Sequence, residues 1–339
     1  MKKSILPILP ILTLILLLTH PALACAGAKS GLLLWWGVVL PTLLPFMLCS
    51  SLLVAWGGVP LLVKPFAPLL RCFGLSPEGS YALIAGLLCG YPMGAKTTAD
   101  FLRGGFIQER EGRILLAAAG WPSPMFLAGY MAPRLAPEIP LWKAALALYL
   151  PLFPLLLTAR ALALLKDRPA GTVKNARHRE NAGDRRSAGA GTAGRPAGND
   201  ARIHAAVPAP APFDEVLMNA LEIMVKIGGF LMIYSILAAF ISSSGHIPAL
   251  PKPFLSGIVE MTTGIDAVSR SMSGPVPING RSASAAILAF AAFGGLSGVS
   301  QTNTVIKNAG LSIRHYVLWK LLHAALSAAV LLLATAQGA

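Results

Sequence analysis

Gly90-Tyr91-Pro92-Met93-Gly94-Ala95-Lys96-Thr97-Thr98-Ala99-Asp100 decides the fold, because it interrupts the otherwise apolar stretch Tyr81–Gly105 first with a turn and then with charge. A lipid-facing helix is not written that way. Non-helical backbone at membrane depth persists only where protein or a wet cavity supplies its hydrogen bonds, so the stretch predicts a re-entrant hairpin with its tip near Tyr91–Gly94. Lys96 sharpens the reading. An ammonium at mid-membrane costs about 2.5–3.5 kcal/mol on insertion scales unless it pairs or reaches water. Two partners fit it: a bound anion, with Thr97 and Thr98 donating hydrogen bonds alongside, or Asp100 one turn further on.

Composition supports a membrane setting. The 339 residues are 55% hydrophobic and only 12% charged, and mean hydropathy is +0.65; these values lie outside the usual balance of a soluble domain. Several apolar runs approach or exceed the roughly 20 residues that a helix needs to cross a hydrocarbon core. The net charge of +14 does not point to nucleic acid, since about a third of the Lys and Arg falls in one polar stretch between Lys166 and Arg202. Cys25, Cys49, Cys72 and Cys89 lack CxxC or metal-ligand spacing and read as buried free thiols rather than a disulfide pair.

Working outward gives an all-α membrane protein of about six transmembrane helices plus two re-entrant hairpins. Residues 1–24 form an N-terminal apolar helix after Met1-Lys2-Lys3, which reads either as a retained span with its start inside or as a cleaved secretory signal. Residues 31–132 follow as a first repeat: a span Leu32–Trp56 broken by Pro41 and Pro45, the hairpin, the polar cytoplasmic edge Gln108–Arg113, and a span Ile114–Met131. Residues 138–165 form a connecting helix, and 166–212 a basic cytoplasmic linker too poor in large apolar residues to order itself. Residues 214–335 form the second repeat. There Glu222 and Lys226 pair one turn apart, Pro248–Ser273 is interfacial or partly re-entrant, and the Ala/Gly/Ser-rich run Ser282–Ser300 packs inside protein.

That run ends in a second polar elbow, Gly294-Gly295-Leu296-Ser297-Gly298-Val299-Ser300-Gln301-Thr302-Asn303. Gly94 with Thr98 lines up with Gly298 with Thr302, and Phe46 with Ser51 lines up with Phe230 with Ser235. An odd number of spans separates the two units, so the repeats are inverted. Paired broken segments in inverted repeats are the signature of secondary transporters, whose sites lie near the midplane where half-helix N-termini favour an anionic or strongly polar solute. Lys307, Arg314 and His315 then fall on the outer side, against the usual bias.

The elbows supply the candidate substrate contacts. Tyr91, Gly94, Lys96, Thr97 and Thr98 come from the first, and Ser297, Gly298, Gln301, Thr302 and Asn303 from the second; Gln301, Thr302 and Asn303 serve either to orient a solute or to satisfy broken backbone. Ser123, in Trp121-Pro122-Ser123-Pro124, either lines the same cavity or marks a proline kink. Glu260 is a proton-coupling group if buried and a hydrated interfacial carboxylate if not. Catalysis finds little support: the six histidines form no metal-ligand spacing, there is no phosphate loop, and Gly-Leu-Ser-Gly-Val around Ser297 lacks the G-x-S-x-G spacing. The expectation is therefore no enzyme, no cofactor and no metal, with the coupling ion, H⁺ or Na⁺, left open.

Gly31–Phe46, containing LLLWWGVVLPTLLPF, together with GYPMGAK at Gly90–Lys96, resembles the YlbJ family of sporulation integral membrane proteins. GIVEMTTGI at Gly257–Ile265 and GGLSGVSQTN at Gly294–Asn303 resemble that family's second half. The resemblance implies paired Gate or nucleoside-recognition domains related to concentrative nucleoside transporters. It also implies a multi-pass location in the mother-cell membrane around the forespore, and dipicolinic acid as the small anionic cargo. The positions carried over are Gly90, Tyr91, Pro92, Gly94, Ala95 and Lys96 in the first elbow, and Glu260, Ser297, Gly298 and Gln301 in the second half. The chain departs from the family's pattern at Gly120–Pro124, where an Asn- and Ser-rich turn is expected, and in its long Arg-rich linker. A nucleoside-type carrier and a non-transporting scaffold or receptor are the alternatives.

Overall fold

The computed structural model describes residues 8–118, 120–166, 212–274 and 277–336, and among them there is helix and no strand. Among the described residues five helical stretches are long and apolar enough to cross a bilayer: Pro21–Val39, Leu141–Leu165, Phe213–Ser243, Gly280–Ile306 and Ile313–Ala336. Leu18, Trp36, Leu61 and Leu333 lie more than half exposed along the outside, a surface that only a lipid environment accommodates. The chain is an all-α integral membrane protein. The 166–212 linker, apart from its end residues, lies outside the described residues. The cysteines are free, as expected, but only Cys89 is buried; Cys25, Cys49 and Cys72 are exposed, because their helices turn that face outward toward lipid or solvent.

In chain order, α1 (Ile8–Thr19) stops at His20, and α2 (Pro21–Leu34) runs through a widened π-type turn at Trp35–Val39 into α3 (Leu40–Ala55). The widened turn sits just before Pro41, where a proline has no N–H to give the preceding turn, so the helix absorbs the defect instead of ending. The described part of α1 is 12 residues long and covers about 18 Å. Short α4 (Val59–Val63) and α5 (Ala67–Arg71) lead to α6 (Pro77–Cys89), α7 (Met93–Arg103), α8 (Glu109–Ala118) and α9 (Pro124–Phe126), the last continuing as a π-type turn to Met131. α10 (Leu141–Tyr149) and α11 (Leu152–Lys166) follow. The second half holds α12 (Phe213–Ser243), α13 (Pro251–Val259), α14 (Met261–Ser271), α15 (Gly280–Phe293), α16 (Gly295–Ile306) and α17 (Ile313–Ala336).

The order of these elements repeats: a hairpin, then a broken helix, then a long helix or helix pair. α6 and α7 fold back on each other at Gly90–Pro92, as the sequence predicts. The sequence places the second elbow at Gly294–Asn303, but the chain folds back earlier, at Glu260, where α13 and α14 pack face to face. They approach so closely that a Cβ built on Gly264 would lie 2.0 Å from the Cα of Gly257. Gly294 and Gly295, with φ of +86° and +67°, break a long helix without reversing it. The counterpart of that break in the first half is Gly120–Ser123, between α8 and α9.

Two features lock the frame. α15 is buried along nearly its whole length through Ala283, Ser284, Ala285, Ala291 and Ala292, and α17 packs closely along it; small side chains permit that approach. α2 crosses α12 at Gly27 and Gly31, where an added Cβ would stand 2.7–2.8 Å from the α12 backbone, and Trp35 Nε1 donates to Met224 O at 2.8 Å. Glu222 and Lys226 form the expected ion pair on the exposed flank of α12.

Candidate functional site

Each break in a membrane helix frees carbonyls and N–H groups that must be satisfied locally. In the first half several of these groups are paired around the breaks. Tyr91 N donates to Trp121 O at 3.1 Å, and Leu127 N to Ser123 O at 3.0 Å. Tyr149 Oη donates to Pro122 O at 2.8 Å, and Lys320 Nζ donates to Gly120 O. The hairpin tip is thus bonded directly to the broken helix. Gly90, at φ 82° and ψ −174°, occupies a region open essentially to glycine alone. A Cβ there would also meet Ser123 N at 3.2 Å and Trp121 O at 3.3 Å.

The second half is built alike. Glu260 leaves the helical conformation and caps α14: its Oε2 accepts from Thr263 N at 2.8 Å, from Thr263 Oγ1 at 2.9 Å and from Thr262 Oγ1. The capping carboxylate stands at the positive end of its own helix, which accounts for its tolerance of 1% exposure. A Cβ on Gly295 would lie 3.0 Å from Met261 N, so this hairpin tip also abuts its neighbouring break. The two pairs of breaks meet at Tyr91. Its ring lies 3.6 Å from where side chains on Gly294 and Gly298 would begin, and its hydroxyl contacts Met261 Sδ.

Where the breaks meet there is a cavity of about 60 Å³. Its polar wall is Tyr91, Ser123, Glu260, Thr262, Ser297 and Gln301, and the backbone of Gly90, Gly294 and Gly298 completes it; Val38, Val39, Leu43, Phe126, Ile227 and Leu231 form the apolar side. The starts of α14 and α16 form part of the wall directly. No side chain caps α16 or α7, whereas Glu260 spends its charge on α14. Such a volume holds a few waters.

Of the twelve residues expected from sequence, Tyr91, Ser123, Glu260, Ser297, Gly298 and Gln301 line this cavity. The others do not. Gly94 and Thr98 are buried in α7, with Thr98 Oγ1 donating to Gly94 O at 2.7 Å. Thr97 and Thr302 are buried away from the cavity wall, and Asn303 is exposed. Lys96 turns away and pairs with Asp100 at 2.7 Å on a partly exposed flank, because on a helix the i,i+4 neighbour is the nearest opposite charge. Glu260 is buried in the cavity wall, not interfacial. Ser297 accepts from Gln301 Nε2 at 3.1 Å, so the two act as one polar unit.

Sequence reasoning missed Lys320 and His323. Both are 2% exposed on α17 and face the first break: Lys320 Nζ lies 5.1 Å from the centre of the Tyr91 ring, and the His323 ring lies 3.9 Å from that of Trp121. The spacing of Tyr316, Lys320 and His323 along one face was the available signal.

Hairpins and broken helices whose ends enclose a polar cavity define a polytopic all-α membrane protein. Residues 36–136, which contain the first hairpin and the first break, match the Gate family of nucleoside recognition domains. The chain is 28% identical over 284 residues to the sporulation integral membrane protein YlbJ of Bacillus subtilis (strain 168), covering 75% of this chain and 64% of that protein. It is thus similar to the YlbJ family, with a Gate segment in its first half, and spans somewhat less than two thirds of that relative's length. No solved structure matches it.

Proposed function

We propose that the chain is a carrier that passes a small organic anion between two inverted halves, holding it in the cavity where the four helix breaks meet. One observation carries this reading: the uncapped start of α16 and the capped start of α14 line one polar cavity inside a membrane protein, closed on the other side by the hairpin tip at Gly90 and Tyr91. Each helix start carries roughly half a positive charge, which favours anionic groups. A cavity of about 60 Å³ is too small for an aromatic dicarboxylate, so binding requires the elbows to separate. Dipicolinic acid, the cargo implied by the family resemblance, is the first anion to test, with the mother-cell membrane around the forespore as the site of action. The chain works by binding and release, not by chemistry.

A second reading has its own support. Tyr91, Phe126 and Gln301 give the cavity aromatic and amide groups, and Lys96 lies outside it, which suits a neutral nucleoside. Uptake of labelled dipicolinate and labelled uridine into liposomes containing the purified chain separates the two. Saturable dipicolinate uptake, reduced by Gln301→Ala, is expected. Uridine uptake alone supports the second reading, and uptake of neither sinks transport altogether.

A further inference from the structure

Lys320 is enclosed in the membrane with no carboxylate in hand. Among the described residues no acidic side chain forms an ion pair with it. Its partners are the carbonyl of Gly120, the ring of Tyr91 at 5.1 Å and the ring of Tyr316 at 6.0 Å. Intramembrane lysines that pair with nothing acidic are costly and mark ion or proton pathways. Two placements make this one more than a strut. It bonds the freed carbonyl of the first break, and it lies over Tyr91, which lines the cavity with its ring 3.6 Å from where side chains on Gly294 and Gly298 would begin.

The other titratable or charged groups around it are few. Tyr316 and His323 share its face of α17, Tyr91 comes from the hairpin tip, Tyr149 from α10, and Glu260 stands beyond Tyr91 on α14's capped start. α16 carries no charged residue. The charged residues of α8 lie in its first turns, toward His315. Arg281 of α15 is held at the far end of α17 by Thr335 and Leu332, and Arg160 of α11 is held by Cys72 O. Glu260 has three donors of its own on Oε2. An anion arriving in the cavity would therefore be the nearest uncommitted negative charge to the Lys320 amine, and by linkage each would strengthen the hold on the other.

We propose, building on the carrier reading above, that Lys320 takes up the proton that accompanies an anionic solute through the site. The amine binds one H⁺ from water on the side where the anion enters, and the ammonium returns it on the side where the anion leaves. Anion and proton thus move together, and a neutral solute would gain nothing from the coupling.

The test uses the full-length chain in liposomes enclosing a pH-sensitive dye, with dipicolinate and uridine as probes. Wild-type protein is expected to acidify the lumen during dipicolinate uptake, with affinity for dipicolinate rising about tenfold as the outer pH falls. Lys320→Met is expected to lose both effects. Lys320→Arg keeps a cation and its hydrogen bonds but cannot release a proton, so it is expected to bind dipicolinate without proton movement. Normal acidification by Lys320→Arg overturns the proposal, as does loss of acidification in Glu260→Gln with retention in Lys320→Met. If neither variant folds, calorimetry of dipicolinate binding to wild type in buffers of different protonation enthalpy decides the matter: no proton taken up on binding overturns it. Wild-type protein that moves neither probe refutes the carrier reading itself, whereas transport with an unchanged pH profile in Lys320→Met refutes only the coupling.

Discussion

Gly90 concentrates the constraint at the hairpin tip, since its conformation excludes L side chains and its Cα hydrogens face the backbone of the neighbouring break. Gly90→Ala should destabilise the protein by about 1–3 kcal/mol, read as a lowered melting temperature in detergent. Gly229→Ala, with nothing within 4 Å, should be neutral or slightly stabilising by helix propensity. An unshifted melt for Gly90→Ala would contradict the tip geometry. Lys96 makes the opposite case. Its pair with Asp100 is partly exposed and worth about 0–1 kcal/mol, so Lys96→Met should leave the affinity for dipicolinate unchanged; a large loss would return Lys96 to the site. Both lysines are visible in the sequence, but only Lys96 draws attention, because it follows an obvious turn. Lys320 sits among Trp319, Leu321 and Leu322 like any span residue, and its partner Gly120 is 200 residues away. Nothing local announces a contact of that range.

The elements show why one hairpin was legible down to its tip and the other only as an interfacial or partly re-entrant stretch. At Gly90–Pro92 a glycine, a proline and a polar run coincide, and each is a strong local punctuation. At Glu260 the reversal needs neither glycine nor proline. It is made by a carboxylate capping its own helix with help from two threonines, and the glycines that permit it, Gly257 and Gly264, lie inside the arms. The sequence drew attention to Gly294-Gly295 instead, because left-handed residues mark helix ends; they do not say whether the next helix reverses or continues. The closest approach in the second half is therefore at Gly264. Gly264→Ala would force the arms of α13 and α14 apart and, as overpacking typically does, cost about 1–3 kcal/mol. Thermal unfolding of the purified variant should show it, with Gly112→Ala, whose Cβ would meet only the flexible ends of Leu102 and Leu311 at 3.4 Å and 3.6 Å, as a mild comparison. Equal stability for the two would mean that the second hairpin does not cross at Gly264.

At the scale of the molecule the site belongs to both halves, so a carrier must move one against the other to open it. Besides the contacts of Tyr91, a polar tie joins the halves beside the cavity. Tyr130 Oη donates to Thr262 O at 3.1 Å, and Arg134 Nε lies 3.2 Å from Asp266 Oδ1. The first member of each pair follows the first break, and the second is on the second hairpin. The ion pair is partly exposed, so breaking it costs about 0–1 kcal/mol and leaves the fold intact. Cysteines at Arg134 and Asp266, in a chain whose own four cysteines are replaced, can then be joined by a short reducible bifunctional reagent. If the halves separate during transport, joining them should stop dipicolinate uptake, and reduction should restore it, while the unjoined double variant transports. Uptake that continues through the cross-link would show that these two surfaces stay together during the cycle. The moving part would then have to be the hairpin α6–α7 alone, swinging about Gly90 against a fixed second half.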